Sequence, residues 1–203
     1  MARKPHKSQR QGRLALSGVL TRTRELERQG YSRPSIRTLA ERGVLEPISR
    51  GLYRVAERAP DEHFTMLAVT VRVPRAVVCL LSALRFHDIG TQSPHEVWIA
   101  IDRKARKPRL TGLPVKVVRF SGDALRAGVE DRIIGERKVR ITSPARTVAD
   151  CFKYRNKTGL DVALEALRET WRGKRATADE LWRYAKLCRV ANVMRPYLEV
   201  LTA

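Results

Sequence analysis

Arg33 and Arg37 stand four residues apart in a stretch, Ser32 to Arg42, that reads as a helix. Two guanidiniums at that spacing share one helix face and repel each other unless an anion lies between them. Each planar fork can grip phosphate oxygens or a guanine edge at two points. Ser35 and Thr38 stand beside them, and Arg42 follows toward the helix end. Ile36, Leu39 and Ala40 fall at i, i+3 and i+4 and take the opposite face. The chemistry on offer is recognition of nucleic acid. The plainer reading of the same pattern is a solvated basic face.

The flanking residues place this helix. Ser32 is a fair N-cap, and Pro34 sits in the first turn, where a missing N–H costs little. Gly30 gives the sharp turn before it. Upstream, Thr21 is placed to cap a helix over 22–29, with Leu26 facing inward. Leu14, Leu16, Val19 and Leu20 suggest a short first helix ending near Gly18. Downstream of Gly43, residues 44–48 and 52–55 read as two short strands joined by Ser49, Arg50 and Gly51. Helix, helix, turn, helix, hairpin is the order of a winged helix-turn-helix, whose second motif helix enters the major groove. On that geometry Thr21, Arg22 and Ser32, at helix N-termini, suit phosphate oxygens. Arg50, at the wing tip, is set to clamp backbone or enter a minor groove. The candidate DNA-binding set is therefore Thr21, Arg22, Ser32, Arg33, Ser35, Arg37, Thr38, Arg42 and Arg50.

The composition agrees. Of 203 residues, 41 are Lys or Arg and 21 are Asp or Glu, a net charge of +20. So basic a chain calls for a polyanionic partner. Double-stranded DNA is the first choice, and an anionic membrane is not. Hydrophobic residues make up 43%, which excludes wholesale disorder. Cys79, Cys151 and Cys188 are odd in number and widely spaced, so they spell neither a disulfide framework nor a metal pair, and a reducing cytoplasm follows. No apolar run is long enough to span a membrane, and the basic start lacks a secretory apolar region.

Three regions follow: a basic flexible tail over 1–11, the winged domain over 12–58, and a larger α+β domain over 61–203. The tail reads equally as a floppy end or as an arm reaching phosphates. In the larger domain, helices are expected over 62–73, from Pro74 through Phe86, from Ser143 to about Tyr154, over 160–171, from a Thr177/Glu180 capping box, and over 193–200. Strands are expected over 97–101, 115–120 and 139–141. Between the first two lies a loop with five cations and no acid: Arg103, Lys104, Arg106, Lys107 and Arg109. It is a candidate second nucleic-acid contact or RNA-facing surface.

Catalytic constellations are thin. Glu136 and Lys138, with Asp123 or Asp131 as a second acid, sketch a Mg²⁺-dependent nuclease, against the plainer reading of a polar turn. His63, His87 and His95 lack ligand spacing. Ser82, His87 and Asp88 do not converge as a hydrolase triad. Arg146 and Asp150, at i and i+4, read as a structural ion pair. Trp98, Trp171 and Trp182 read as core anchors. No cofactor, metal or catalytic residue is expected. The alternatives to a DNA-binding regulator are that nuclease, delivered to DNA by the winged domain, or an RNA-binding adaptor.

From Gly18 to Val55 the chain resembles the N-terminal domain of AbiEi-type antitoxins, regulators of bacterial toxin–antitoxin (abortive infection) operons. The resemblance is carried by Gly18 through Arg22, Gly30 through Arg33, Ile36, Leu39, Gly43 through Leu45, and the string Leu45 to Tyr53 (LEPISRGLY). In the second domain, Ser82-Ala83-Leu84 with Phe86-His87, and Ser143 through Asp150, are similar too. Coverage runs from about Gly12 to Val200. The resemblance implies an autorepressor bound to inverted repeats in its own operator. It also implies an antitoxin role against a nucleotidyltransferase-type toxin, with no direct contact required.

Overall fold

The computed structural model describes residues 18–202. The expected tail and first short helix fall outside them, apart from Gly18, Val19 and Leu20. The main boundary between two compact units lies between Ala59 and Pro60; the short run Ile48–Arg50 is grouped with the second. The molecule is mixed α+β, with two sheets among the described residues.

The first unit runs β1 (Leu20–Arg22), α1 (Thr23–Arg28), α2 (Arg33–Glu41), β2 (Leu45–Ser49) and β3 (Leu52–Val55). Its sheet has the order β1-β3-β2. A small core of Leu26, Ile36, Leu45 and Val55 holds it, with Tyr31, Leu39, Ala40 and Tyr53 packed against it. Ser32 caps α2 as expected: its Oγ accepts from the Ser35 N–H at 3.2 Å. Gly30 and Gly43 adopt φ of 92° and 72°, the left-handed turns that end α1 and α2. The start of α1 differs from expectation. Thr21 does not cap a helix; it lies in β1, paired with Tyr53, and is buried at 3% exposure. The sheet claims its backbone, and the helix begins at Thr23 with Arg22 in the cap position. There the Arg22 N–H donates to Glu25 Oε2 at 3.0 Å.

The second unit is built on a five-stranded mixed sheet. Its strands are β4 (Val77–Val78), β5 (Val97–Asp102), β6 (Val115–Phe120), β7 (Val129–Ile134) and β8 (Arg137–Thr142), in the order β6-β5-β4-β8-β7. Pairings β5–β6 and β4–β8 are parallel; β4–β5 and β7–β8 are antiparallel. Two strands were not expected. The β4 stretch was read as part of a helix from Pro74, yet its two valines form the central strand, and only α4 (Leu80–Phe86) is helical there. Strand β7 carries no sequence signal of a strand: its residues are polar or at least partly exposed until Ile134.

Helix α3 (Phe64–Arg72) packs on β4, β5 and β8. Helix α5 (Pro144–Lys153), capped by Ser143, packs on α4. A short α6 (Arg155–Thr158) leads to α7 (Leu160–Arg172), α8 (Ala178–Leu187) and α9 (Ala191–Thr202). Helix α8 opens on the expected Thr177/Glu180 capping box. One core joins these layers, with Leu80, Leu84, Trp98, Phe120, Phe152 and Leu167 among its larger side chains.

Arg146 and Asp150 meet inside that core, each with a side chain 0% exposed. Arg146 Nε donates to Asp150 Oδ2 at 3.1 Å, and its two terminal nitrogens donate to the carbonyls of Ala127 and Ala124, each at 2.8 Å. The guanidinium also lies over the Phe120 ring, 5.2 Å from its centre. The remaining carboxylate oxygen accepts from Cys188 Sγ at 3.3 Å. Burial pushes the Asp150 carboxyl above its ordinary value, against the opposing pull of the Arg146 guanidinium.

Candidate nucleic-acid interface

Helix α2 presents one polar face to solvent. Ile36 is buried at 2%, whereas Ser32, Arg33, Ser35, Arg37, Thr38 and Arg42 are all exposed. Neither exposed arginine of the first turns is unpartnered. Arg33 Nε donates to Glu27 Oε1 and Arg37 Nε to Glu41 Oε1, both at 2.9 Å. The Glu27 bond raises the Arg33 pKa above its already high ordinary value, so the group stays charged. Both arginine side chains are 83% exposed. Ion pairs this exposed hold little stability and yield readily to a competing anion. The hydroxyls are also engaged locally: Ser32 and Ser35 Oγ lie 2.8 Å apart, and Thr38 Oγ1 donates to the Pro34 carbonyl at 3.2 Å.

Arg50 sits exposed in the turn between β2 and β3, where Gly51 takes φ of 70°. Arg54, on β3, is tied to Glu46 across the hairpin, with Nε donating at 3.0 Å. Thr21, buried in β1, offers no surface hydroxyl.

In the second unit, Arg103, Lys104, Arg106, Lys107 and Arg109 are exposed. The base of their loop is fixed by Arg119, whose Nη1 donates to the carbonyls of Arg103 at 2.7 Å and Ala105 at 2.8 Å. Arg103 lines a cleft of about 690 Å³ together with Lys153, Arg155 and Arg189. Sequence reading missed these three because they lie on separate segments more than 40 residues beyond the loop. Clusters of that kind have no sequence spacing to betray them.

The constellations considered for catalysis are dispersed. Lys138 Nζ pairs with Asp131 Oδ2 at 2.7 Å across the β7–β8 hairpin, and Glu136 lies in its turn. Ser82 Oγ accepts from the Trp98 N–H at 2.9 Å, and His87 Nε2 meets the Thr142 carbonyl at 2.8 Å. The three cysteines are free and buried. Burial and the Asp150 carboxylate push the Cys188 thiol up to about 12, which makes it a donor rather than a nucleophile. Among the described residues no group of three His, Cys, Asp or Glu side chains is placed to hold a metal. Nor is any helix there long and apolar enough to cross a membrane.

With this geometry in view, residues 13–56 match the family model described as "Transcriptional regulator, AbiEi antitoxin". The N-terminal segment is AbiEi-like. The match takes in every described element of the first unit, from β1 to β3. The second-unit residues that carried part of the resemblance, around Ser82 and Ser143, lie outside the AbiEi match. The fold is shared with the crystal structure of RV2827C protein from Mycobacterium tuberculosis. That likeness has a TM-score of 0.60 at 16% identity, over 83% of this chain and 67% of that one. It extends well beyond the AbiEi-like segment. No curated protein sequence matches.

Proposed function

We propose that this chain is a sequence-specific DNA-binding transcriptional regulator whose first unit works as a winged helix-turn-helix. In this reading α2 is the recognition helix and the β2–β3 hairpin is the wing. One observation carries it: α2 turns Ile36 inward and leaves Arg33, Ser35, Arg37, Thr38 and Arg42 on the surface. Ser32 and the α2 N-terminus approach phosphate, and Arg22 and Arg50 hold the backbone on either side. A phosphate or guanine edge displaces Glu27 and Glu41 from the two arginines. Each bidentate guanine contact contributes about 1–3 kcal/mol of discrimination. The loop from Arg103 to Arg109 adds a second, less specific contact.

The AbiEi-like match supports the regulatory role. By the same resemblance, the regulator represses its own operon from inverted repeats; its three free cysteines fit a reducing cytoplasm. It counteracts a nucleotidyltransferase-type toxin without needing to touch it. The test is anisotropy on labelled duplexes: the DNA upstream of its own gene against random duplex of equal length, over a salt series. The reading predicts preference for the upstream DNA and a slope of about −0.9 in log affinity per neutralised phosphate. Equal affinity for both duplexes at every salt concentration would overturn it.

A further inference from the structure

The cleft beside the second unit's sheet is lined by four cations and one acid. Arg103, Lys153, Arg155 and Arg189 converge on it from four segments. Among the described residues none of the four side chains makes an ion pair; the Arg155 side chain makes one hydrogen bond, from Nη1 to the Phe152 carbonyl at 2.9 Å. The acid on the rim is Asp123, and its carboxylate faces Arg126 at 3.7 Å. Arg189 is held in the left-handed region, φ 59°, directly after the α8 cap, a position that glycine ordinarily takes.

A second hollow, of about 830 Å³, adjoins the first across Asp123 and Leu187, which line both. Its walls differ. Half-buried Trp182 lines it beside Lys186, with Asp179 on the same rim. A groove with cations at one end and an indole at the other matches a strand whose phosphates are spaced along it and whose bases are free to stack. A duplex keeps its base faces stacked inside and offers none to the indole.

We infer that this groove binds single-stranded nucleic acid, with backbone phosphates on Arg103, Lys153, Arg155 and Arg189 and a base against Trp182. The inference stands apart from duplex recognition by α2, which uses other residues. Only the chemistry common to RNA and DNA strands is read from the groove.

The experiment uses the full-length protein and labelled 12-nucleotide single strands of mixed sequence, one RNA and one DNA, with a 20-base-pair duplex alongside. Lys153 and Arg189 are exposed and make no ion pair among the described residues, so Lys153→Gln with Arg189→Gln leaves the fold intact, which circular dichroism checks. This variant is expected to bind at least one of the two single strands at least tenfold more weakly near 0.1 M salt. Its salt slope on that strand falls by about 1.4, since each single-strand phosphate contributes roughly 0.7. Duplex affinity stays within about twofold. Trp182→Phe retains a smaller stacking face and loses less than Trp182→Leu. Whichever strand binds more tightly names the source. Unchanged affinity for both single strands, or an equal loss on single strand and duplex, overturns the proposal. Duplex preference is tested separately by Arg33→Ala with Arg37→Ala, so the two readings fail independently.

Discussion

Removing the charge of Asp150 tests whether the second unit depends on its buried ion pair. Asp150→Asn keeps the shape but leaves the Arg146 guanidinium, 0% exposed, without a counter-charge. Breaking such a pair from one side costs about 3–5 kcal/mol. Whole domains are stable by only about 5–15 kcal/mol, so the loss is a large fraction of the total. At about 2–4 °C per kcal/mol for a unit of this size, Tm should fall by roughly 6–20 °C. All three tryptophans, Trp98, Trp171 and Trp182, lie in the second unit, so urea unfolding followed by intrinsic fluorescence reports on that unit. Arg146→Met combined with Asp150→Leu should recover only part of the loss. It removes both charges but strands the carbonyls of Ala124 and Ala127, which Arg146 satisfies. A change below about 1 kcal/mol for Asp150→Asn would refute the reasoning, since the pair would then be dispensable.

Other consequences are equally direct. Gly128→Ala should destabilise the second unit by about 1–3 kcal/mol or more in the same urea assay: φ is +69°, and the added carbon would meet Tyr184 Cε1 at 2.7 Å and Arg146 Cβ at 2.8 Å. Burial lowers the His87 pKa below 6.5, against the bond to Thr142 that favours the charged ring. The folded state then binds fewer protons than the unfolded one, so the contribution is fully present above 6.5 and is lost as pH falls toward the lowered value. His87→Gln should flatten that part of the stability-against-pH curve, and an unchanged curve would exclude His87 as its source. Arg50→Ala should weaken all duplex sequences by a similar factor and reduce the salt slope by about 0.9. A loss confined to one sequence would place Arg50 on a base edge.

The sequence was legible where signals are local. Ser32, Pro34 and Gly43 mark the ends of α2 within a dozen residues, and the structure keeps that helix over Arg33–Glu41. Thr177 and Glu180 likewise announce α8. It was illegible where pairing is distant. Val77 and Val78 make a strand only because β5 and β8 lie on either side of them. Thr21 resembles a helix cap until β3 pairs with it. The polar residues of β7 carry no strand pattern, and the β8 partner decides their conformation. The same holds for function. Arg33 and Arg37 share a helix face that spacing predicts, but Lys153, Arg155 and Arg189 meet Arg103 only in the folded unit. Arg37 and Glu41 stand at i and i+4, a spacing that announces their pairing, whereas Glu27 meets Arg33 only where α1 and α2 pack together.

The most direct measurement is therefore discrimination itself. Affinities for the upstream duplex and for random duplex are compared in the wild type and in Arg33→Ala with Arg37→Ala, at one salt concentration. The account predicts that the ratio collapses toward one in the variant while residual, sequence-independent binding remains. A ratio unchanged from the wild type would contradict it, because α2 would then not be what reads the bases.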